Sequence, residues 1–121
     1  MKYDEGDYLP YGQQLISEED IQAVDNALRS DFITQGPLVD EFEKAIAKKV
    51  NATYGVAVNS ATSALHLGCL SLGLGRGDWL WTSAITFVAS ANCARYCGAN
   101  VDFVDIDPET GLLSIKALKT K

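Results

Sequence analysis

The chain has 121 residues, 47% of them hydrophobic, and a formal net charge of -6. That length supports one modest core. The acidic balance, with Arg29, Arg76 and Arg95 scattered, excludes the basic patch that binding a nucleic-acid backbone requires, and no apolar run is long enough to span a bilayer.

The opening MKYDEGDYLPYG is acidic, is broken by Pro10 and Gly12, and lacks the pattern of a secretory signal. Ser17 with Asp20 has the form of a capping box, and Ile21, Val24 and Leu28 follow at helical spacing; the expected helix stops near Ser30. In DFITQGP, Gly36 and Pro37 suit the N-cap and first position of a second helix. Val39, Phe42, Ile46 and Val50 line its apolar face, while Asp40, Glu41, Glu43, Lys44, Lys48 and Lys49 are expected to face water.

The stretch YGVAVNSATSALHLGCLSL, from Tyr54 to Leu72, organises the rest. Val56, Ala57 and Val58 suit a short strand buried on both faces. Small residues follow at Asn59, Ser60, Ala61 and Thr62, with Ser60 or Thr62 as N-cap of a helix that Leu65, Leu67 and Leu70 carry into the core. Strand, small polar turn and helix make a phosphate cradle, because a helix N-terminus presents free N–H groups and the positive end of its dipole. The same residues also read simply as a capped helix start, and caps are far commoner than anion sites.

Gly73, Gly75 and Gly77 close that helix rather than follow a strand, so they read as a terminator and not as a dinucleotide loop. A second strand is expected from Trp79 to Thr82, a helix from about Phe87 to Cys97 closed by Gly98, and a third strand from Val101 towards Asp107 and Pro108. Alternating strands and helices predict parallel crossovers with helices on both sheet faces. Ser114 is the expected cap of a last short helix with Ile115 and Leu118. So short a final helix, beside a sheet of about three strands with open edges, gives the chain a truncated look. Cys69, Cys93 and Cys97 lack CxxC spacing, and Cys93 and Cys97 share a helical face, which points to buried thiols rather than a metal site and to a reducing, cytoplasmic setting. His66, among leucines, reads as a core histidine.

PYGQQ, SDFITQGP, NSATSALHL, GDWLWTSAITFVASAN and GANVDFVDIDP, in this order and spacing, resemble the front of the DegT/StrS family of sugar-nucleotide aminotransferases, which are fold-type-I enzymes dependent on pyridoxal 5'-phosphate (PLP). The resemblance runs from Pro10 to about Thr110. It implies an α/β fold, three-layer α/β/α with a largely parallel sheet, in which residues 1–50 form a helical N-terminal segment and residues 51–121 begin the PLP-binding domain. Within the family, GDWLWTS and ITFVASANC most resemble the aminotransferases of the pseudaminic acid pathway. These aminate C4 of a UDP-linked 4-keto-6-deoxy-N-acetylhexosamine, with glutamate as the expected donor.

The resemblance also implies roles. Ala61 and Thr62 would hold the PLP phosphate, and Phe87 would stack on the pyridine ring, with a plain core position as the alternative for Phe87. Tyr11, Asp31, Phe32, Ile33, Thr34 and Ser60 would line the sugar-nucleotide pocket. The intact enzyme is expected to be a homodimer that takes a nucleotide sugar and an amino donor, with no nucleic acid, membrane or metal involved.

The chain departs from the family in lacking the aspartate motif that pairs with the pyridine nitrogen and the serine-containing motif of the Schiff-base lysine. Lys2, Lys44, Lys48, Lys49, Lys116, Lys119 and Lys121 lie on a polar helix face or near the termini, without the desolvated setting a reactive amine needs. Ala84 stands where relatives often have proline, and Leu112 where asparagine is common. The expectation is an N-terminal fragment that has no catalytic residue of its own and is inactive alone. Two other classes stay open: a PLP-dependent sugar dehydratase of the same family, with histidine at the lysine position, and a non-catalytic phosphate-binding module. Against the module, no Walker lysine and no Rossmann glycine pattern follows any expected strand.

Overall fold

The computed structural model describes Gly12 and residues 14–121. The chain divides into two compact units, Met1–Ala57 and Val58–Lys121.

The first unit carries α1 (Glu18–Leu28) and α2 (Pro37–Lys49). The capping box forms as read: Ser17 Oγ accepts the Asp20 N–H at 3.3 Å, and Asp20 Oδ2 accepts the Ser17 N–H at 2.8 Å. The hydrogen bond from the Ser17 backbone, with a second from its hydroxyl, holds the Asp20 carboxyl below its usual range. α1 ends at Leu28, with Arg29 as its C-cap. Gly36 caps α2 and Pro37 opens it, as the sequence indicates. Glycine is also required there by space, because a Cβ on Gly36 would lie 2.5 Å from the Phe32 Cβ.

Three expectations for this unit and its boundary fail. The apolar faces of the two helices (Ile21, Val24 and Leu28; Val39, Phe42, Ile46 and Val50) remain 41–69% exposed, and Ala47 is the only residue of either helix that is buried. Periodicity marks which face can bury, but a partner must cover it, and among the described residues none does. Glu43, assigned to the solvated face, is half-buried and accepts the Ala57 N–H on Oε1 at 2.7 Å. Residues 56–58 join no ladder among the described residues, and Val56 is 79% exposed. A strand exists only through its neighbours, so β-propensity alone could not create one.

The second unit runs α3 (Ala61–Ser71), β1 (Trp79–Ser83), α4 (Ala89–Tyr96), β2 (Asn100–Val104) and α5 (Ile115–Leu118). β1 and β2 are parallel, in register from Trp79 opposite Asn100 to Ser83 opposite Val104, so among the described residues the sheet has two strands rather than about three. α4 is the crossover; it packs on both strands and on α3. Ala89, Ala94 and Ala99 are buried and small enough to let the helix approach closely, with Cys93 and Val104 completing the core. Gly98, at φ +78°, turns the chain out of α4.

α3 buries Cys69, whereas Leu65, Leu67 and Leu70 stay 42–50% exposed, which corrects their assignment to the core. His66 is half-buried and meets Tyr96 of α4 edge to face, with ring centroids 5.3 Å apart. Cys69, Cys93 and Cys97 are free thiols, the first two buried and the third half-buried. Among the described residues no cluster of three metal-ligating side chains forms. β2 stops at Val104 rather than Asp107; beyond it Ile106 bridges antiparallel to Leu113, around a turn in which Asp107 Oδ1 accepts the N–H groups of Glu109 and Thr110.

Candidate functional site

α3 begins at a cap built from side chains. Ser60 is extended and its Oγ accepts the Ser63 N–H at 3.2 Å, so Ser60 rather than Thr62 is the N-cap. Ser63 Oγ donates to Asn59 Oδ1 at 2.7 Å, and the Ser60 and Ser63 hydroxyls lie 3.1 Å apart. The Ala64 N–H returns to the Ser60 carbonyl at 3.1 Å. Between these, the N–H groups of Ala61 and Thr62 have no partner among the described residues. They stand at the positive end of the helix dipole, beside the exposed methyl of Ala61 and the half-buried Thr62. Two bare amides, one hydroxyl and no bulk in front of them are what a phosphate monoester requires, so the residues present fit the phosphate of PLP.

Phe87 follows β1 after three residues of tight turn. The Ala84 N–H extends the ladder to the Val104 carbonyl at 3.1 Å, and Ser83 Oγ accepts the Ile85 N–H at 3.2 Å. The Phe87 carbonyl then receives the Ser90 N–H at 3.0 Å, and Thr86 Oγ1 lies 3.2 Å from Ser90 Oγ. Phe87 therefore stands at the amino end of α4, past the carboxyl ends of both strands, where ligands bind in parallel α/β sheets. Phe87 is 72% exposed. The turn after α3 lies at the opposite edge: a Cβ on Gly75 would sit 4.0 Å from the Cys97 carbonyl at the end of α4. The amino end of α3 is thus directed away from the edge where the strands begin.

Asp31, Phe32, Ile33 and Thr34 belong to the first unit. They form the exposed turn between α1 and α2, where Ser30 Oγ contacts the carbonyls of Ala27 at 2.7 Å and Phe32 at 2.9 Å. Phe32, Ile33 and Thr34 line an apolar cleft of about 190 Å³ with Val24, Leu28 and Val39; Asp31 is not part of its lining. Tyr11 lies outside the described residues. Sequence reasoning passed over the side chains of Asn59 and Ser63. The available signal was a polar residue one position before the cap with a hydroxyl four residues further on, which a helix start brings together.

The sequence profile of the DegT/DnrJ/EryC1/StrS aminotransferase family matches residues 14–121, and the chain belongs to that family. It is 45% identical over 103 residues to the spore coat polysaccharide biosynthesis protein SpsC of Bacillus subtilis, covering 85% of this chain and 26% of that protein. It is 41% identical over 98 residues to the UDP-4-amino-4,6-dideoxy-N-acetyl-beta-L-altrosamine transaminase of Campylobacter jejuni, covering 81% and 26% respectively. Among solved structures, the sugar aminotransferase Spr1654 from Streptococcus pneumoniae in its PLP form superposes with a TM-score of 0.84 at 33% identity, covering 93% of this chain and 29% of that one. The chain spans about a quarter of the length of the curated relatives it matches. Among the described residues, no helix is long and apolar enough to cross a membrane.

Proposed function

We propose that this chain is the cofactor-cradling front of a PLP-dependent sugar-nucleotide aminotransferase, cytoplasmic and homodimeric when whole. The observation that carries the reading is the pair of bare amides, Ala61 and Thr62, at the start of α3 in a chain similar to a PLP-bound Spr1654. When bound, PLP supplies the electron sink through which an amino group moves between donor and acceptor. The chain's own residues do the positioning. The Ala61 and Thr62 amides and the Thr62 hydroxyl hold the phosphate; the Phe87 ring restrains the pyridine plane. On the family resemblance we assign Tyr11, Asp31, Phe32, Ile33, Thr34 and Ser60 each to contact with the sugar nucleotide, the last with its hydroxyl oxygen already accepting the Ser63 N–H.

For the substrate we favour C4 of a UDP-linked 4-keto-6-deoxy-N-acetylhexosamine, with glutamate as amino donor. GDWLWTS and ITFVASANC support this, as does the 41% identity to a transaminase named for a UDP-4-amino-4,6-dideoxy sugar. The test is amino transfer by a full-length chain carrying these residues, comparing that sugar with a dTDP-linked 4-keto-6-deoxyglucose. A site that hydrogen-bonds its substrate discriminates strongly against a sugar that leaves those groups unpaired. Preference for the dTDP sugar would overturn the substrate assignment alone, and dehydration without amino transfer would replace the transaminase with the dehydratase.

A further inference from the structure

Where α3 packs on α4, the thiol of Cys69 lies within hydrogen-bonding reach of those of Cys93 and Cys97. The main chain brings the same parts together. The Leu74 N–H closes the end of α3 on the Cys69 carbonyl at 3.1 Å, and a Cβ on the Gly75 that follows would lie 4.0 Å from the carbonyl of Cys97. The three cysteines are not equivalent. Cys97, the C-cap of α4, is half-buried and is the one that a small solute reaches most readily. Cys93 lies one turn earlier on the same helix, is buried, and its thiol donates to the Ser90 carbonyl at 3.3 Å. Cys69 is buried on the other helix. Burial and its two sulfur neighbours raise its thiol to about 11, so at neutral pH it stays protonated and a poor first target for an oxidant.

We infer that Cys97 and Cys69 form a peroxide-sensitive dithiol whose oxidation to a disulfide ties α3 to α4. Cys97 is the entry thiol and Cys69 the resolving one. A bond from Cys97 to Cys93 would instead have to close within a single turn of α4, and would join nothing that the helix does not already hold. In the first step the Cys97 sulfur, its proton released to water, attacks one oxygen of hydrogen peroxide; the S–O bond forms, the O–O bond breaks and the departing hydroxide takes up a proton. In the second the Cys69 sulfur gives up its proton and attacks the Cys97 sulfur; the S–S bond forms, the S–O bond breaks and the oxygen leaves as water. Two thiols lose two electrons in all, and one peroxide is reduced to two waters. A dithiol reductant reverses the bond by exchange. The loop so closed contains β1 and all of α4, so the link restrains the unfolded chain far more than the folded one. The inference uses no part of the cofactor reading, and either can fail without the other.

The test exposes the 121-residue chain, fully reduced beforehand, to a slight excess of hydrogen peroxide and then blocks the remaining thiols with N-ethylmaleimide in denaturant. Cleavage after Arg76 and Arg95 places the three cysteines in separate peptides, so mass spectrometry reads the linked pair directly. The expected result is a Cys69–Cys97 link within the monomer, with Cys93 alone blocked. The unfolding midpoint should rise by about 5 °C or more and return to its starting value with dithiothreitol. Cys93→Ala should keep the link. In Cys69→Ala the sulfenic acid of Cys97 should persist, so that dimedone traps it at about tenfold or more above the level in the parent chain. Three free thiols after peroxide, a link that includes Cys93, a link only between monomers, or a Cys97 that passes straight to the sulfinic acid would each overturn the inference. So would a Cys69–Cys97 link that leaves the midpoint unchanged, because the bond would then not hold the folded pair of helices together.

Discussion

The backbone amide of Ala57 donates to Glu43 Oε1 at 2.7 Å, across fourteen residues of sequence. Glu43 holds the same segment a second way, because Gly55 lies directly over its main chain: a Cβ on Gly55 would come within 2.6 Å of the Glu43 carbonyl oxygen. One residue of α2 thus fixes the last stretch of the first unit with both its side chain and its backbone.

Gly55→Ala should therefore destabilise the first unit by about 1–3 kcal/mol, since the obstructing atom is backbone and cannot rotate away. Gly68→Ala is the contrasting case: it lies inside α3, and a Cβ there meets nothing within 4 Å. It should stabilise by about 0.5–1 kcal/mol through helix propensity. Urea midpoints of the two variants, moving in opposite directions, check both statements.

Ala61 and Thr62 should separate cofactor retention from folding in a full-length chain. A bulky residue at Ala61 blocks backbone approach at an exposed position and should weaken PLP retention with little change in the unfolding midpoint. Thr62→Ala should do so more mildly, through the loss of one hydrogen bond to a charged group, worth about 1.5–3 kcal/mol. PLP affinity equal to the parent in both variants would leave these residues as a helix cap alone.

No charged side chain is buried among the described residues, and Lys44, Lys48, Lys49, Lys116, Lys119 and Lys121 are all exposed. The 121-residue chain is accordingly expected to form no site-specific covalent adduct with PLP. Borohydride reduction followed by peptide mapping should give only trace, scattered labelling. A single lysine modified stoichiometrically, with absorbance that survives dialysis, would contradict this.

The three thiols should differ in reactivity. Burial, reinforced by the neighbouring Cys93 and Cys97, pushes the Cys69 thiol up from 9.0 to about 11, and Cys93 is buried beside it. At pH 8, N-ethylmaleimide should label the half-buried Cys97 first and reach all three only in denaturant, as mass spectrometry can count. A raised thiol value also favours the folded state while the group stays protonated. That contribution is complete below pH 9.0 and is lost as pH rises towards about 11, so the unfolding midpoint should fall over that interval and fall less in Cys69→Ala.

What the sequence disclosed follows from how local each feature is. The Ser17 and Asp20 box, the Gly36 and Pro37 start and the Gly98 stop each involve partners within a turn, so residue types and spacing suffice. The cap at Ser60 was legible for the same reason, and the exposure of Phe87 after β1 became certain only with the carboxyl edge in view. The failures are the features set by distant partners. Among the described residues, Val56, Ala57 and Val58 have strand composition but no ladder, and the leucines of α3 have core composition but no cover. Glu43 looked like one more solvated carboxylate because its partner, the Ala57 amide, carries no mark in a sequence.

The parallel pairing of β1 with β2 bears on the order in which the parts of the second unit can form. Trp79 meets Asn100, so closing the ladder requires the whole of α4 to have been made and folded back, an entropic cost that only the finished crossover offsets. The Asn59, Ser60 and Ser63 bonds span four residues and need no such closure. On an elongating ribosome, the capped end of α3 can be sampled long before Val104 has emerged, whereas the strands must wait for it. A substitution at Ser60 should therefore chiefly slow refolding, while one at Val104 should chiefly speed unfolding, so that the two ends of this unit would answer to opposite limbs of a chevron plot.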